Sequence, residues 1–164
     1  MRAIFLILCS VLLNGCLGMP ESVKPVSDFE LNNYLGKWYE VARLDHSFER
    51  GLSQVTAEYR VRNDGGISVL NRGYSEEKGE WKEAEGKAYF VNGSTDGYLK
   101  VSFFGPFYGS YVVFELDREN YSYAFVSGPN TEYLWLLSRT PTVERGILDK
   151  FIEMSKERGF DTNR

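Results

Sequence analysis

After position 16 the chain has no cysteine, since Cys9 and Cys16 are its only two. A disulfide framework, a thiolate metal site and a cysteine nucleophile are therefore excluded from the body of the protein, which must be held by its core alone. Histidine is almost as scarce, with only His46, in a loop beside Asp45. A lone loop histidine reads as solvated or structural, and adjacent side chains on a loop make no proton relay. No Gly-x-Ser-x-Gly elbow, spaced histidine cluster or phosphate loop is present, and 76–80 (Glu-Glu-Lys-Gly-Glu) reads as a solvated hairpin, not a cation site. Ser127, in Ser-Gly-Pro, reads as turn chemistry. We expect no catalytic residues, metal or cofactor. Net charge is −4, with no basic stripe interleaved with aromatics, so nucleic acid is not an expected partner.

Long hydrophobic runs are also missing. The apolar stretch at 3–13 follows Arg2 and falls short of the roughly 20 residues that span a bilayer. With Leu13-Asn14-Gly15-Cys16 behind it, it resembles a bacterial lipobox. Residues 1–15 are then a lipoprotein signal peptide, Cys16 the lipidated N-terminus, and 16–28 a tether with Pro20, Ser22, Lys24, Pro25 and Ser27. In the enteric-type sorting that this resembles, Leu17 in place of Asp favours the outer membrane over the inner one, and the barrel is expected to face the periplasm.

What is abundant is aromatic side chains, 15% of the sequence with 11 Tyr and 11 Phe, which favours strands. Residues 28–35 read as a short helical turn with Asp28 as cap. The stretch Gly36-Lys37-Trp38-Tyr39-Glu40-Val41-Ala42-Arg43 opens the first strand, its glycine permitting a tight turn or a close approach. Strand patterns follow at 55–61, 67–72, 86–91, 98–104, 110–116, 121–127 and 133–139, separated by turn signals such as Asn63-Asp64-Gly65-Gly66 and 105–109. Eight strands in chain order without crossover helices predict an all-β, antiparallel up-and-down barrel; a two-sheet sandwich would need longer connections. At Thr140-Pro141 the period changes to helical. Val143, Ile147, Leu148, Phe151 and Ile152 fall on one side, and Gly159 is placed to end a helix packed outside the barrel.

Gly36-x-Trp38-Tyr39-x-Val41-Ala42-Arg43 together with Ser138-Arg139-Thr140-Pro141 resembles the lipocalin signature. Asp117 and the tyrosines after it fall where the family has its middle motif, as a looser match. Val69 to Tyr74, Gly86 to Phe90, Lys100 to Phe107 and Val126 to Pro129 are similar to the bacterial outer-membrane lipoproteins of the family and their apolipoprotein D-like relatives. The resemblance covers 29–160 and implies that Arg139 lies across Trp38 and closes one end of the barrel, so that Gly36, Trp38 and Arg139 are structural. Such relatives usually continue into a ninth strand beyond the position of Arg164, so a truncated sequence or an open edge is expected there.

An eight-stranded barrel has room for one small ligand. Strand phase nominates as its lining Ala57, Tyr59, Ala88, Phe90, Val101, Phe103, Ala124, Val126, Tyr133 and Trp135, with Tyr111 added from a strand apolar on both phases. The mixture of small and aromatic residues suits an elongated apolar ligand, and the resemblance implies a fatty acid or lysophospholipid, stored or transported in envelope maintenance. The alternatives are a structural lipoprotein without a dedicated ligand and, more remotely, a lipid-modifying enzyme. Phe107 and Tyr108, read as lying on a turn at the open mouth, suit contact with membrane or with a second copy in a homodimer.

Overall fold

The computed structural model describes residues 17–164; the signal segment and Cys16 lie outside the described residues. Among them, the chain forms a short helix α1 (Leu31–Tyr34), then β1 (Gly36–Arg43), β2 (Leu52–Val61), β3 (Ile67–Ser75), β4 (Glu80–Phe90), β5 (Tyr98–Phe104), β6 (Phe107–Leu116), β7 (Tyr123–Ser127) and β8 (Leu134–Ser138), and finally α2 (Arg145–Glu157). Each strand pairs antiparallel with the next, and β8 returns to β1, with Tyr39 opposite Ser138. Closure removes every sheet edge, which is the physical advantage of the barrel over the sandwich. The β3–β4 hairpin is longer than the alternation suggests. Its register runs out to Ser75 opposite Glu80 because charged side chains are tolerated on both faces where it leaves the core.

Two apolar clusters explain why β6 to β8 are apolar on both phases. The inner one includes Trp38, Val69, Val113, Ala124 and Leu137. The outer one joins Val112, Phe114, Phe125 and Leu136 to Phe151 and Phe160 beneath α2. Val143, Ile147 and Leu148 pack there as expected, whereas Ile152 is 41% exposed and falls off the stripe. The helix does not start at Thr140-Pro141: Thr140 Oγ1 donates to the Thr142 carbonyl, a local turn that competes with capping, and Glu144 holds the cap position. Its other end is a Schellman turn, with Gly159 at φ +83°, its N–H on the Lys156 carbonyl and the Phe160 N–H on the Ser155 carbonyl. Asp28 likewise caps nothing, since its backbone is left-handed at φ +52° and Glu30 precedes α1.

The floor of the barrel is built on Arg139. Its guanidinium carbon lies 3.9 Å from the centre of the Trp38 ring, and that indole is fully buried. Arg139 donates to the carbonyls of Asn33 (2.8 Å), Leu35 (2.9 Å), Lys37 (2.9 Å) and Tyr121 (3.3 Å), so one side chain ties α1, β1 and the β6–β7 loop together. Trp38 Nε1 donates to the Tyr34 carbonyl at 2.8 Å, which satisfies the one polar atom of the buried ring. Gly36 is needed for its φ of +90°: a Cβ there would sit 3.6 Å from Arg139 Nη1, an ordinary contact, so strain and not space excludes a side chain. Asp117 organises the β6–β7 loop by accepting from the backbone N–H groups of Glu119, Asn120 and Ser122 and from the Ser122 hydroxyl, and these bonds hold its carboxyl below the usual range.

Replacing Arg139 by Ala removes a cation–π contact and strands several backbone acceptors at once. We expect a loss of about 2–4 kcal/mol, and Arg139→Lys to recover less than half of it because one ammonium cannot serve a fork of carbonyls. Urea unfolding of the three proteins measures this; equal stability would remove Arg139 from its place as the closure of the floor.

Candidate functional site

Above that floor a cavity runs up the barrel. Because strands alternate up and down, the connections 44–51, 76–79, 105–106 and 128–133 all lie at the opposite, open end. The cavity volume is about 100 Å³, and its wall is mostly apolar. A cavity this small suits a slender chain better than a fused ring system.

Ala57, Tyr59, Ala88, Val101, Phe103, Tyr111, Val126 and Trp135 line it. Three residues of the predicted lining do not. Phe90 and Ala124 turn inward but belong to the packed floor, Phe90 edge-on to Phe29 at 6.0 Å and Ala124 fully buried. Tyr133 precedes β8 and stacks on Phe48 at the rim, with ring centres 6.0 Å apart. Gly86 lets Phe103 lie inside: a Cβ at that position would come within 2.8 Å of both the Phe103 ring and the Ser102 carbonyl.

Of the polar wall the predicted lining includes Tyr59 and Tyr111 but not Tyr34, Glu40, Glu49 or Asn71. Tyr34 from α1, Tyr111 and Tyr59 link their hydroxyls in a chain, at 2.6 Å and 2.9 Å. Burial pushes all three phenols upward, so they stay neutral and act as hydrogen-bonding groups deep in the cavity. Nearer the mouth sit two carboxyls, Glu40 on β1 and Glu49 on the β1–β2 loop, whose side chains are 6% and 9% exposed. Arg43 Nη1 reaches Glu40 Oε1 at 2.5 Å, and Trp135 Nε1 donates to Glu49 Oε2 at 3.0 Å. Burial first, and the charge of Glu49 second, push the Glu40 carboxyl up to about 8, so it carries a proton at neutral pH. The buried Asn71 Oδ1, also on the lining, has no hydrogen-bond partner. The polar groups facing the upper cavity thus combine acceptors, Glu49 and Asn71 Oδ1, with the protonated Glu40 carboxyl, which can also donate. Only a search for glutamates sharing the inward phase of Trp38 would have flagged Glu40; Glu49 lies on a loop that has no phase to read.

His46 is buried, not solvated. It stacks on Phe48 at 3.9 Å between ring centres and meets Trp135 edge-on at 5.2 Å. Its Nε2 is 2.8 Å from Glu49 Oε2. Asp45 turns away and pairs with Arg50. Ser127 is fully buried and donates to the Gly128 carbonyl, in keeping with a role in the turn. Among the described residues, no group of His, Cys, Asp and Glu is arranged to hold a metal ion.

Comparison with known proteins agrees with this architecture. The sequence profile described as a lipocalin-like domain matches residues 29–164. Outer membrane lipoprotein Blc of Escherichia coli K12 is 51% identical over 145 residues, spanning 88% of this chain and 81% of that protein. Temperature-induced lipocalin-1 of Arabidopsis thaliana is 31% identical over 88% of this chain and 81% of its own length, and mouse apolipoprotein D is 28% identical over 90% and 80%. Among solved structures, insecticyanin of the tobacco hornworm Manduca sexta superposes with a TM-score of 0.70 at 23% identity, covering 89% of this chain and 83% of that one. Lobster apocrustacyanin A1 gives 0.65 at 21%, with 88% and 89% covered, so both support the fold alone. The closed eight-stranded barrel, its Trp38–Arg139 floor and these matches together make the chain a member of the lipocalin family, with outer-membrane lipoproteins of Gram-negative bacteria among its relatives.

Proposed function

We propose that the protein carries the acyl chain of a fatty acid or lysophospholipid in the barrel cavity while held at the outer membrane through a lipidated Cys16, storing or moving lipid in envelope maintenance. The observation that carries this reading is the narrow, mouth-open cavity walled by Ala57, Ala88, Val69, Val101 and Phe103. An apolar chain of that width would gain about 0.8 kcal/mol for each methylene it withdraws from water. The head group would sit among Glu40, Glu49 and Asn71, where the protonated Glu40 carboxyl can donate to a ligand oxygen and Asn71 Oδ1 can accept. The outer-membrane location rests on the relatives named outer membrane lipoprotein, and the anchor on the lipobox pattern of the sequence. Lipocalins are in general binding proteins. His46 does not line the cavity, and its ring is packed between aromatics, which gives an enzymatic reading little support.

Mass spectrometry of the protein purified under native conditions is expected to find a co-purifying acyl lipid. Trp135, which lines the cavity, should change its fluorescence on addition of fatty acid or lysophospholipid. Ala88→Trp fills the channel and should weaken that binding by at least about tenfold, with the fold kept at a cost of about 1–3 kcal/mol. No binding to a panel of such lipids at micromolar concentration would favour the structural lipoprotein instead. Lipid turnover abolished by His46→Ala would favour an enzyme.

Glu40 gives the site a pH dependence. Its folded carboxyl titrates at about 8 against an ordinary 4.5, so between those values the folded state holds a proton that the unfolded chain has released. Stability from this group is therefore greatest below 4.5, falls as pH rises toward 8 and is constant above. Thermal unfolding against pH should show that decline in the wild type relative to Glu40→Gln, by several degrees on the order expected for a domain of this size. Fatty-acid affinity should fall over the same window, as a second negative charge appears beside the ligand carboxylate. Parallel curves for the two proteins would remove Glu40 as the cause.

A further inference from the structure

The mouth of the barrel is asymmetric. Closure of β8 onto β1 fixes the circular order of its four connections as 105–106, 128–133, 44–51 and 76–79. The 128–133 loop is therefore flanked by the first and third and lies across from the last. Both flanking connections expose aromatic side chains: Phe48 is 59% exposed, Phe104 82% and Phe107 69%. Phe48 touches the middle loop directly, through its stack on Tyr133. The 105–109 stretch expected to turn as a unit in fact turns at Gly105–Pro106, so Phe104 and Phe107 face each other across the hairpin end. Tyr108 is half-buried, beside the Tyr89 ring and under Lys100. The opposite connection carries Glu76, Glu77, Lys78 and then Glu80. Trp81, the other exposed aromatic near it, is on the outer face of the hairpin and already covered by the Arg72 guanidinium at 4.0 Å.

The start of the described chain falls in the centre of the apolar arc. Gly18 lies against the Pro129 carbonyl of the 128–133 loop, and the Leu17 carbonyl accepts from the Tyr98 hydroxyl at 3.1 Å. From there the chain passes down the outside of the barrel, with the Val26 N–H on the Val113 carbonyl and the Phe29 N–H on the Thr95 carbonyl at the floor. Leu17, itself 42% exposed, is covalently next to Cys16. An acylated Cys16 is thus one residue from a segment held against the barrel wall and the 128–133 loop, too short a link to let the barrel float free of the surface that holds the acyl chains.

From this placement we infer that the arc formed by Phe48, Phe104 and Phe107 is a membrane-docking surface, seated in the interfacial region of the anchoring leaflet with the acidic 76–80 hairpin tilted toward water. The inference rests on the lipid anchor proposed above. Aromatic side chains favour the headgroup level, and an anchor plus a second membrane contact holds far better than either alone. The acidic hairpin fixes the sense of the tilt, since an anionic leaflet repels it. In this pose the cavity opens beside the bilayer, and an acyl chain enters or leaves without crossing bulk water.

The absence of cysteine after position 16 makes the test direct. Single variants Phe104→Cys, Phe107→Cys, Glu77→Cys and Asn63→Cys (the last at the floor end) would be labelled with an environment-sensitive fluorophore in the full-length lipidated protein. Each would be reconstituted in phosphatidylethanolamine–phosphatidylglycerol vesicles containing nitroxide-labelled lipid. Loss of fluorescence to the lipid quencher at 104 and 107, with positions 77 and 63 open to aqueous iodide, supports the docking surface. Equal response at all four positions, or no lipid quenching at 104 and 107, overturns it. So does shielding of 104 and 107 from both quenchers in a protein that light scattering finds dimeric, which would assign the arc to a second copy. Vesicle co-flotation of wild type against Cys16→Ser reads the anchor separately: flotation without quenching at the rim sinks only the docking surface, whereas no flotation of the wild type sinks the anchor and the docking surface together.

Discussion

The contact between Arg139 and Trp38 is the constraint on which the rest of the structure depends. A barrel of eight strands is a tube with two ends, and a tube open at both would hold water and no ligand for long. Here one end is shut by a buried indole with a guanidinium laid across it at 3.9 Å, and that guanidinium is held in turn by four backbone carbonyls. The planar fork of arginine is what makes this possible, because its donors diverge in fixed directions while its face stays free to stack. The carbonyls come from α1, from β1 and from the loop after β6, so segments distant in sequence share one fastening.

Closing the floor gives the inner wall its gradient. Just above Trp38 the three linked phenols and the packed rings of Phe29 and Phe90 fill the barrel. Higher up, Ala57 and Ala88 withdraw the wall and leave space. Two carboxyls then appear at a depth where charge is expensive, and the cost is limited by keeping one of them protonated and by bringing Arg43 and the Trp135 N–H to them. A buried carboxyl pair of this kind is poor engineering for stability, which is a physical reason to connect it with what the cavity receives.

How much of this could be read from the residues varies with the kind of signal. The barrel and its strand order were legible because period-2 alternation and short turns leave few other topologies. Ala57, Ala88, Val101 and Trp135 were legible as lining for the same reason. Phase fails where a residue turns inward but sits too low, as Phe90 and Ala124 do, since depth along the axis is set by strand tilt and stagger and not by alternation. It fails again at strand ends, where Tyr133 leaves the ladder and follows its loop. Glu49 and His46 were illegible because loop side chains take their direction from tertiary contacts. The start of α2 was misplaced because Thr140 had a nearer carbonyl to bond than a helix to cap.

The two ends of the barrel also explain each other. The floor uses its polar groups inwardly: the donors of Arg139 and most of the bonds to the Asp117 carboxyl are spent on backbone atoms. The mouth does this only at its margin, where Arg43 donates to the Glu49 and Leu52 carbonyls, because a side chain that bridged it would block the cavity. One arc of its rim is left with exposed apolar side chains, Phe104 and Phe107 above all. Water is a poor solvent for such a rim, and the point at which the N-terminal segment joins the barrel places a bilayer within reach of it. Closing the floor thus leaves the ligand entrance and an exposed apolar arc together at the mouth, and the path of the tether decides which surface meets them.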